Sequence, residues 1–148
     1  MNAKTWLVLG AALGALAVLL GAFGAHSLPN YLAAIDVGGG ESVRRLANWE
    51  TAARYQMYHA LALLLVGLLA QRRSLLSLHL AGLAMFVGTL IFSGCLYALV
   101  LTGVKVLGAI VPIGGVLLIV GWLLLGVAGA AIGSAEEGRK LAAGEAAS

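Results

Sequence analysis

Residues 107–132 read Leu-Gly-Ala-Ile-Val-Pro-Ile-Gly-Gly-Val-Leu-Leu-Ile-Val-Gly-Trp-Leu-Leu-Leu-Gly-Val-Ala-Gly-Ala-Ala-Ile, without a charged side chain. About 20 apolar residues suffice for a helix to cross a bilayer, and this run exceeds that length with Pro112 inside it. Three comparable runs precede it, at 6–25, 52–70 and 75–101. The whole chain has 148 residues, 61% apolar and 10% charged, with a mean hydropathy of +1.01. Average domains carry nearer a quarter charged residues. Such a composition excludes a soluble enzyme, a disordered chain, a disulfide scaffold and a nucleic-acid module. The expected fold is all-α: a polytopic membrane protein, a four-transmembrane-helix bundle over 1–132 with a flexible polar tail at 133–148.

The connections follow from the polar residues between the runs. Gln71 to Ser74 makes a tight turn, and Thr102 to Val106 another. The long polar stretch is 26–51. Ser27 and Pro29 read as a helix start, giving a short turn through Ile35. Gly38-Gly39-Gly40 is a break. Glu41 and Ser42 then open a pattern with Val43, Leu46 and Ala47 on one face, an amphipathic interfacial helix anchored by Trp49 and running on into the second span. The first run could pass for a signal peptide, with Ala22 and Gly24 as a small-x-small site. It is long enough to span, and we read it as an uncleaved first helix.

Nine Lys/Arg stand against six Asp/Glu, a net charge of +3. The cations are scattered at helix ends and form no stripe, so no nucleic-acid partner is expected. Four spans put both termini on one side, with Lys4, Arg72, Arg73, Arg139 and Lys140. Arg44, Arg45, Lys105, and Arg54 if it reaches the surface, lie on the other. That bias points to termini in the cytoplasm. The 21 glycines are about twice the usual ~7% share. Several pair with a small residue four positions away: Gly10 with Gly14, Ala17 with Gly21, Gly94 with Ala98, Gly129 with Gly133. Such faces let helices approach closely in lipid. They suit a tight bundle, and equally a homo-oligomer or a partner subunit.

Polar residues inside apolar spans each need an account. Asp and Glu are absent from the span cores, which argues against a carboxylate proton pump or a cation-coupled transporter. The second span opens Trp49-Glu50-Thr51-Ala52-Ala53-Arg54-Tyr55-Gln56-Met57-Tyr58-His59. Glu50 and Arg54 suit a helical ion pair. Ala52, Tyr55, Gln56 and His59 share one face, expected to point into the bundle. At about 1.5 Å of rise per residue, His59, Ser93 and Pro112 fall at similar depth below the surface that His26 marks. His26, Tyr55, Gln56, His59, Ser93 and Pro112 could therefore converge in one layer of the outer leaflet. Pro112 leaves the carbonyl of Gly108 without its helical partner, and a neighbouring polar group could satisfy it. His79 lies near the opposite surface, interfacial or bonded to a neighbouring helix. Cys95 reads as a packing residue. His26 and His59 lack metal-ligand spacing, and Ser93 with His59 lacks a third orienting acid. No metal and no cofactor are expected.

These residues also carry a resemblance. Gly21-Ala22-Phe23-Gly24-Ala25-His26, Trp49 to Ala52, Tyr55-Gln56-Met57-Tyr58-His59-Ala60-Leu61-Ala62, Phe92-Ser93-Gly94 with Leu96-Tyr97, Leu99 to Gly103, Leu107-Gly108, Pro112 with Gly114-Gly115, and Gly121-Trp122 together resemble the domain of unknown function 423 family, small four-span proteins like transmembrane protein 256. The likeness runs from Trp6 to about Leu125. It implies a polytopic protein of a bacterial cytoplasmic membrane or its mitochondrial counterpart, and it implies no activity. Cys95, where the family usually has Ser, Val111, where Thr is common before the proline, and a lengthened first loop around Gly39 to Glu41 depart from the pattern.

Three functions remain open on the sequence. The first is a non-enzymatic helper, assembly or interaction protein of the membrane. The second is a binder or carrier of a small neutral solute, lipid or quinone through the polar layer. The third is a membrane enzyme using His59 or Tyr55.

Overall fold

The computed structural model describes residues 2–145, and its long elements are all helices. Helix α1 (Ala3–His26) is followed by a short α2 (Leu28–Ala34), then α3 (Gly39–Arg72), α4 (Leu76–Thr102) and α5 (Val106–Glu145). All but α2 are long and apolar enough to cross a membrane.

The boundaries have local causes. The Asn2 side chain accepts from the backbone N–H of Thr5 at 2.9 Å and caps α1. Pro29 lies in the first turn of α2, where a missing N–H leaves nothing unpaired. Helix α4 ends at Gly103 in the left-handed region, at φ 74°, a conformation that only glycine adopts freely. Gly39 already belongs to α3, so the interfacial segment 39–51 and the apolar span 52–70 form one unbroken helix.

Helix α5 departs from expectation at its end. It does not stop at Ile132 but continues to Glu145, through most of the segment read as a flexible tail; residues 146–148 lie outside the described ones. The span supplies a helix already nucleated, and extending it needs only propagation. Ala, Glu, Arg and Lys in 133–145 propagate well, and no proline interrupts them.

The spans pack in chain order: α1 on α3, α3 on α4 and α4 on α5, with α2 folded against α1 and α3. Helices α3 and α4 are the central pair. One core cluster, holding Trp6, Leu63, Val66, Leu78, Ala81, Met85 and Ala128, lies toward the end where α1 begins. A smaller one at the other end holds Leu28, Leu32, Trp49 and Val100. Val18, Leu19, Leu68, Ile119 and Leu123 face outward, as lipid-facing residues do.

The backbones of α4 and α5 approach closely at Gly114. A Cβ on Gly114 would stand 2.5 Å from the Phe92 nitrogen and 2.9 Å from the Gly88 carbonyl oxygen. Gly10 is pressed against Ala60 of α3 in the same way, at 2.9 Å from its carbonyl oxygen. Of the small residues paired in the sequence, Gly21, Gly94, Gly129 and Gly133 instead face open space.

Candidate functional site

The polar residues of the spans do not all turn toward one another. Gln56 is buried and its Nε2 donates to the Leu13 carbonyl at 2.9 Å, tying α3 to α1. Ser93 is buried and its Oγ donates to the Ala52 carbonyl at 2.9 Å, tying α4 to α3. Its hydroxyl is thereby turned to a backbone oxygen rather than to His59.

His59 is the centre of a second arrangement. Its Nδ1 lies 2.7 Å from the Tyr55 carbonyl oxygen, and its Nε2 lies 3.2 Å from the Trp122 indole nitrogen. A carbonyl only accepts and an indole N–H only donates, so the ring is neutral with its proton on Nδ1. Tyr55 turns outward, 40% exposed, and stacks on Phe92 with ring centroids 4.8 Å apart. Beside them a groove of about 460 Å³ opens between α3 and α5, lined by Tyr55, Tyr58, His59, Phe92, Ile119 and Trp122. A smaller groove lies between α1 and α4, with Gln56, Thr89 and Tyr97 on its wall. The Tyr97 hydroxyl there is buried without a hydrogen-bond partner.

Two residues expected in the layer are elsewhere. His26 is exposed at the end of α1, and Pro112 is exposed on the outer side of α5. Depth placed both level with His59, but depth does not fix where a side chain points around its own helix. Glu50 and Arg54 form an ion pair on the exposed surface of α3.

Several contacts join partners that the sequence did not identify, although His79 was expected to be interfacial or bonded to a neighbouring helix. Trp6 Nε1 donates to His79 Nδ1 at 3.0 Å, and His79 Nε2 meets Ser74 Oγ at 3.0 Å. Trp49 Nε1 donates to the Leu20 carbonyl at 2.7 Å. Arg45 bridges Glu41, at 3.1 Å from Nε, and the Val100 carbonyl, at 3.0 Å from Nη1. The Arg45 hydrogen bond, with the charge of Arg44 beside it, holds the Glu41 carboxyl below its ordinary range. Matched depths of Trp6 with His79 were the available signal for the first of these, whereas Trp122 lies ten residues past Pro112, about 15 Å along α5, so depth gave no signal for its bond to His59. An indole N–H in an apolar span needs an acceptor.

The chemistry this permits is limited. Among the described residues no three His, Cys, Asp or Glu side chains come together. Both nitrogens of His59 are engaged, and the buried donors of Gln56 and Ser93 are occupied by main-chain carbonyls.

Known proteins share this chain. Residues 20–115 match the family described as Protein of unknown function (DUF423). A UPF0382 membrane protein of Staphylococcus aureus is 47% identical over 125 residues, 84% of this chain and 94% of the relative. One from Staphylococcus saprophyticus is 46% identical over 122 residues, 82% of this chain and 93% of the relative. The UPF0382 membrane protein YwdK of Bacillus subtilis is 43% identical over 126 residues, 84% of this chain and 95% of the relative. No solved structure matches. With four apolar helices and relatives named as membrane proteins along most of its length, the chain belongs to the DUF423 family of membrane proteins.

Proposed function

We propose that the protein acts in the membrane without catalysis, as a helper that seats a partner transmembrane helix or a second copy of itself along α5. One observation carries this reading. Gly115, Ile119, Trp122, Gly126, Gly129 and Gly133 recur at alternating spacings of four and three on one side of α5, and the last three glycines meet nothing within 4 Å. Gly126, Gly129 and Gly133, three and four residues apart, form a small-residue surface of the kind against which a second helix packs closely in lipid. The absence of catalysis is supported by the occupied nitrogens of His59 and the occupied donors of Gln56 and Ser93.

The test uses full-length protein recovered from native membranes after cross-linking. Wild type is expected to carry a stoichiometric subunit or a second copy. Gly126→Leu with Gly129→Leu fills open space and leaves the α4–α5 seam intact, so association is lost while the fold stays. Wild type recovered alone, in gentle detergent and in nanodiscs, would sink the proposal.

A second reading is a binder or carrier of a small neutral solute, lipid or quinone. It is favoured by the aromatic α3–α5 groove of about 460 Å³, within the ~300–1,000 Å³ of ligand pockets. A small molecule retained in native mass spectrometry and lost in His59→Ala would select it.

For location we propose a bacterial cytoplasmic membrane with both termini inside. The relatives come from bacteria, and Lys4, Arg72, Arg73 and Arg139 collect at the terminal side. A cysteine placed at Ala142 should react with a membrane-impermeant maleimide only in lysed cells.

A further inference from the structure

We propose that the pocket where α3 and α5 leave the membrane binds the phosphate of an anionic phospholipid. The pocket holds about 300 Å³ and is lined by Leu69, Arg72, Arg73, Ile132 and Arg139. Arg72 is the last residue of α3 and Arg73 follows it, partly buried, in the turn to α4. Arg139 comes from α5, seven residues past Ile132. Side chains on a helix lean toward its N-terminus, so Arg139 leans back toward the bilayer. Three arginines and two apolar side chains thus line one pocket at the end of the spans.

Among the described residues the ion pairs are Glu41 with Arg44 and Arg45, and Glu50 with Arg54. Among the described residues none of the three arginines of the pocket is in an ion pair. Guanidinium is the cation best shaped for phosphate oxygens. Basic pockets between transmembrane helices at this level hold lipid headgroups. Leu69 and Ile132 favour a lipid over a free phosphate, because they offer apolar surface to the glycerol and first acyl carbons below the charge. The site lies at the opposite end of the bundle from the groove at Tyr55 and is independent of it.

The experiment compares full-length protein in phosphatidylcholine nanodiscs with and without phosphatidylglycerol. Native mass spectrometry reads the lipid retained, and thermal unfolding reads its effect. Wild type is expected to retain one phosphatidylglycerol and to melt higher with it. At about 1 kcal/mol per cation near the surface, Arg72→Gln, Arg73→Gln and Arg139→Gln together should weaken retention on the order of a hundredfold. Lys105→Gln, an exposed cation at the other end, should leave it unchanged. If the triple variant fails to fold, Arg73→Gln alone decides, with a loss of about fivefold. Equal retention of phosphatidylcholine, or undiminished retention in the Gln variants, overturns the proposal. So does an equal rise in melting temperature with inorganic phosphate, which would make the ligand a soluble anion.

Discussion

The indole N–H of Trp122 on α5 donates to Nε2 of His59 on α3 at 3.2 Å, across two helices that are not a packed pair. The same device recurs between α1 and α4, where Trp6 donates to His79 at 3.0 Å. Neighbouring helices are held by close packing, and these two bonds tie helices one step apart. Each Trp–His bond needs a neutral ring, since the indole offers only a donor.

The first prediction tests that coupling. Trp122→Phe keeps an aromatic ring and removes the donor, at a cost of about 1 kcal/mol. A double-mutant cycle with His59→Ala should give a coupling of at least ~0.5 kcal/mol. The cycle pairing His59→Ala with Trp6→Phe should be additive. Unfolding in mixed micelles measures both. Additivity in the His59–Trp122 cycle would mean the bond contributes nothing.

Much of this fold is legible in the sequence because membrane physics is strict. Every backbone group within the hydrocarbon must be paired inside the protein, so a long apolar run such as 107–132 leaves little choice but a helix. The join between the interfacial segment and the second span was legible too, since Glu41 to Trp49 keeps helical periodicity into Ala52. The site was less legible. His59, Gln56 and Ser93 could be picked out as polar residues needing partners, but the partners could not. Leu13 and Ala52 contribute main-chain oxygens, which any residue would supply. His26 and Pro112 were placed by depth, and the direction each faces depends on how its helix is rotated against its neighbours. That rotation is set by contacts such as Gly88 with Gly114, which a periodic pattern of glycines does not single out.

Gly114 and Gly126 should therefore respond differently to the same change. A Cβ at Gly114 meets backbone atoms of α4 at 2.5 and 2.9 Å, and backbone cannot yield as a side chain can. Gly114→Ala must push α5 away and should cost about 1–3 kcal/mol. At Gly126 a Cβ meets nothing within 4 Å, and alanine is the better helix former by up to about 1 kcal/mol. Gly126→Ala should melt at or above the wild-type temperature. Equal destabilisation of the two variants would refute this packing of α4 on α5.

Gln56 and Ser93 should prove to be packing residues. Each donates to a carbonyl inside a neighbouring helix, an oxygen already bonded within that helix. Removing the donor therefore strands no acceptor. Gln56→Leu and Ser93→Ala should each cost only about 0.6 kcal/mol, the average for such bonds in membranes. Both variants should insert and unfold much as wild type does. A Ser93→Ala variant that folds normally yet loses a bound small molecule would contradict this and return Ser93 to a ligand site.

The last prediction concerns Gly103 and Arg45. Gly103 holds φ at 74°, and a Cβ there would stand 2.6 Å from Arg45 Nη2. Gly103→Ala should cost about 1–2 kcal/mol from the left-handed backbone alone, and it should also displace Arg45 from the Val100 carbonyl. Arg45 is held from its other side by Glu41. The Arg45 hydrogen bond keeps the Glu41 carboxyl below its ordinary value of 4.5. A lowered carboxyl contributes fully above that ordinary value and loses its contribution as pH falls through the lower, folded one. Acid should thus loosen the start of α3 while neutral pH holds it. The indole N–H resonance of Trp49, bonded to Leu20 in the same region, is the reporter. It should shift on acidification in wild type and already be shifted at neutral pH in Glu41→Gln. A resonance insensitive to both changes would mean that Glu41 does not hold Arg45 in place.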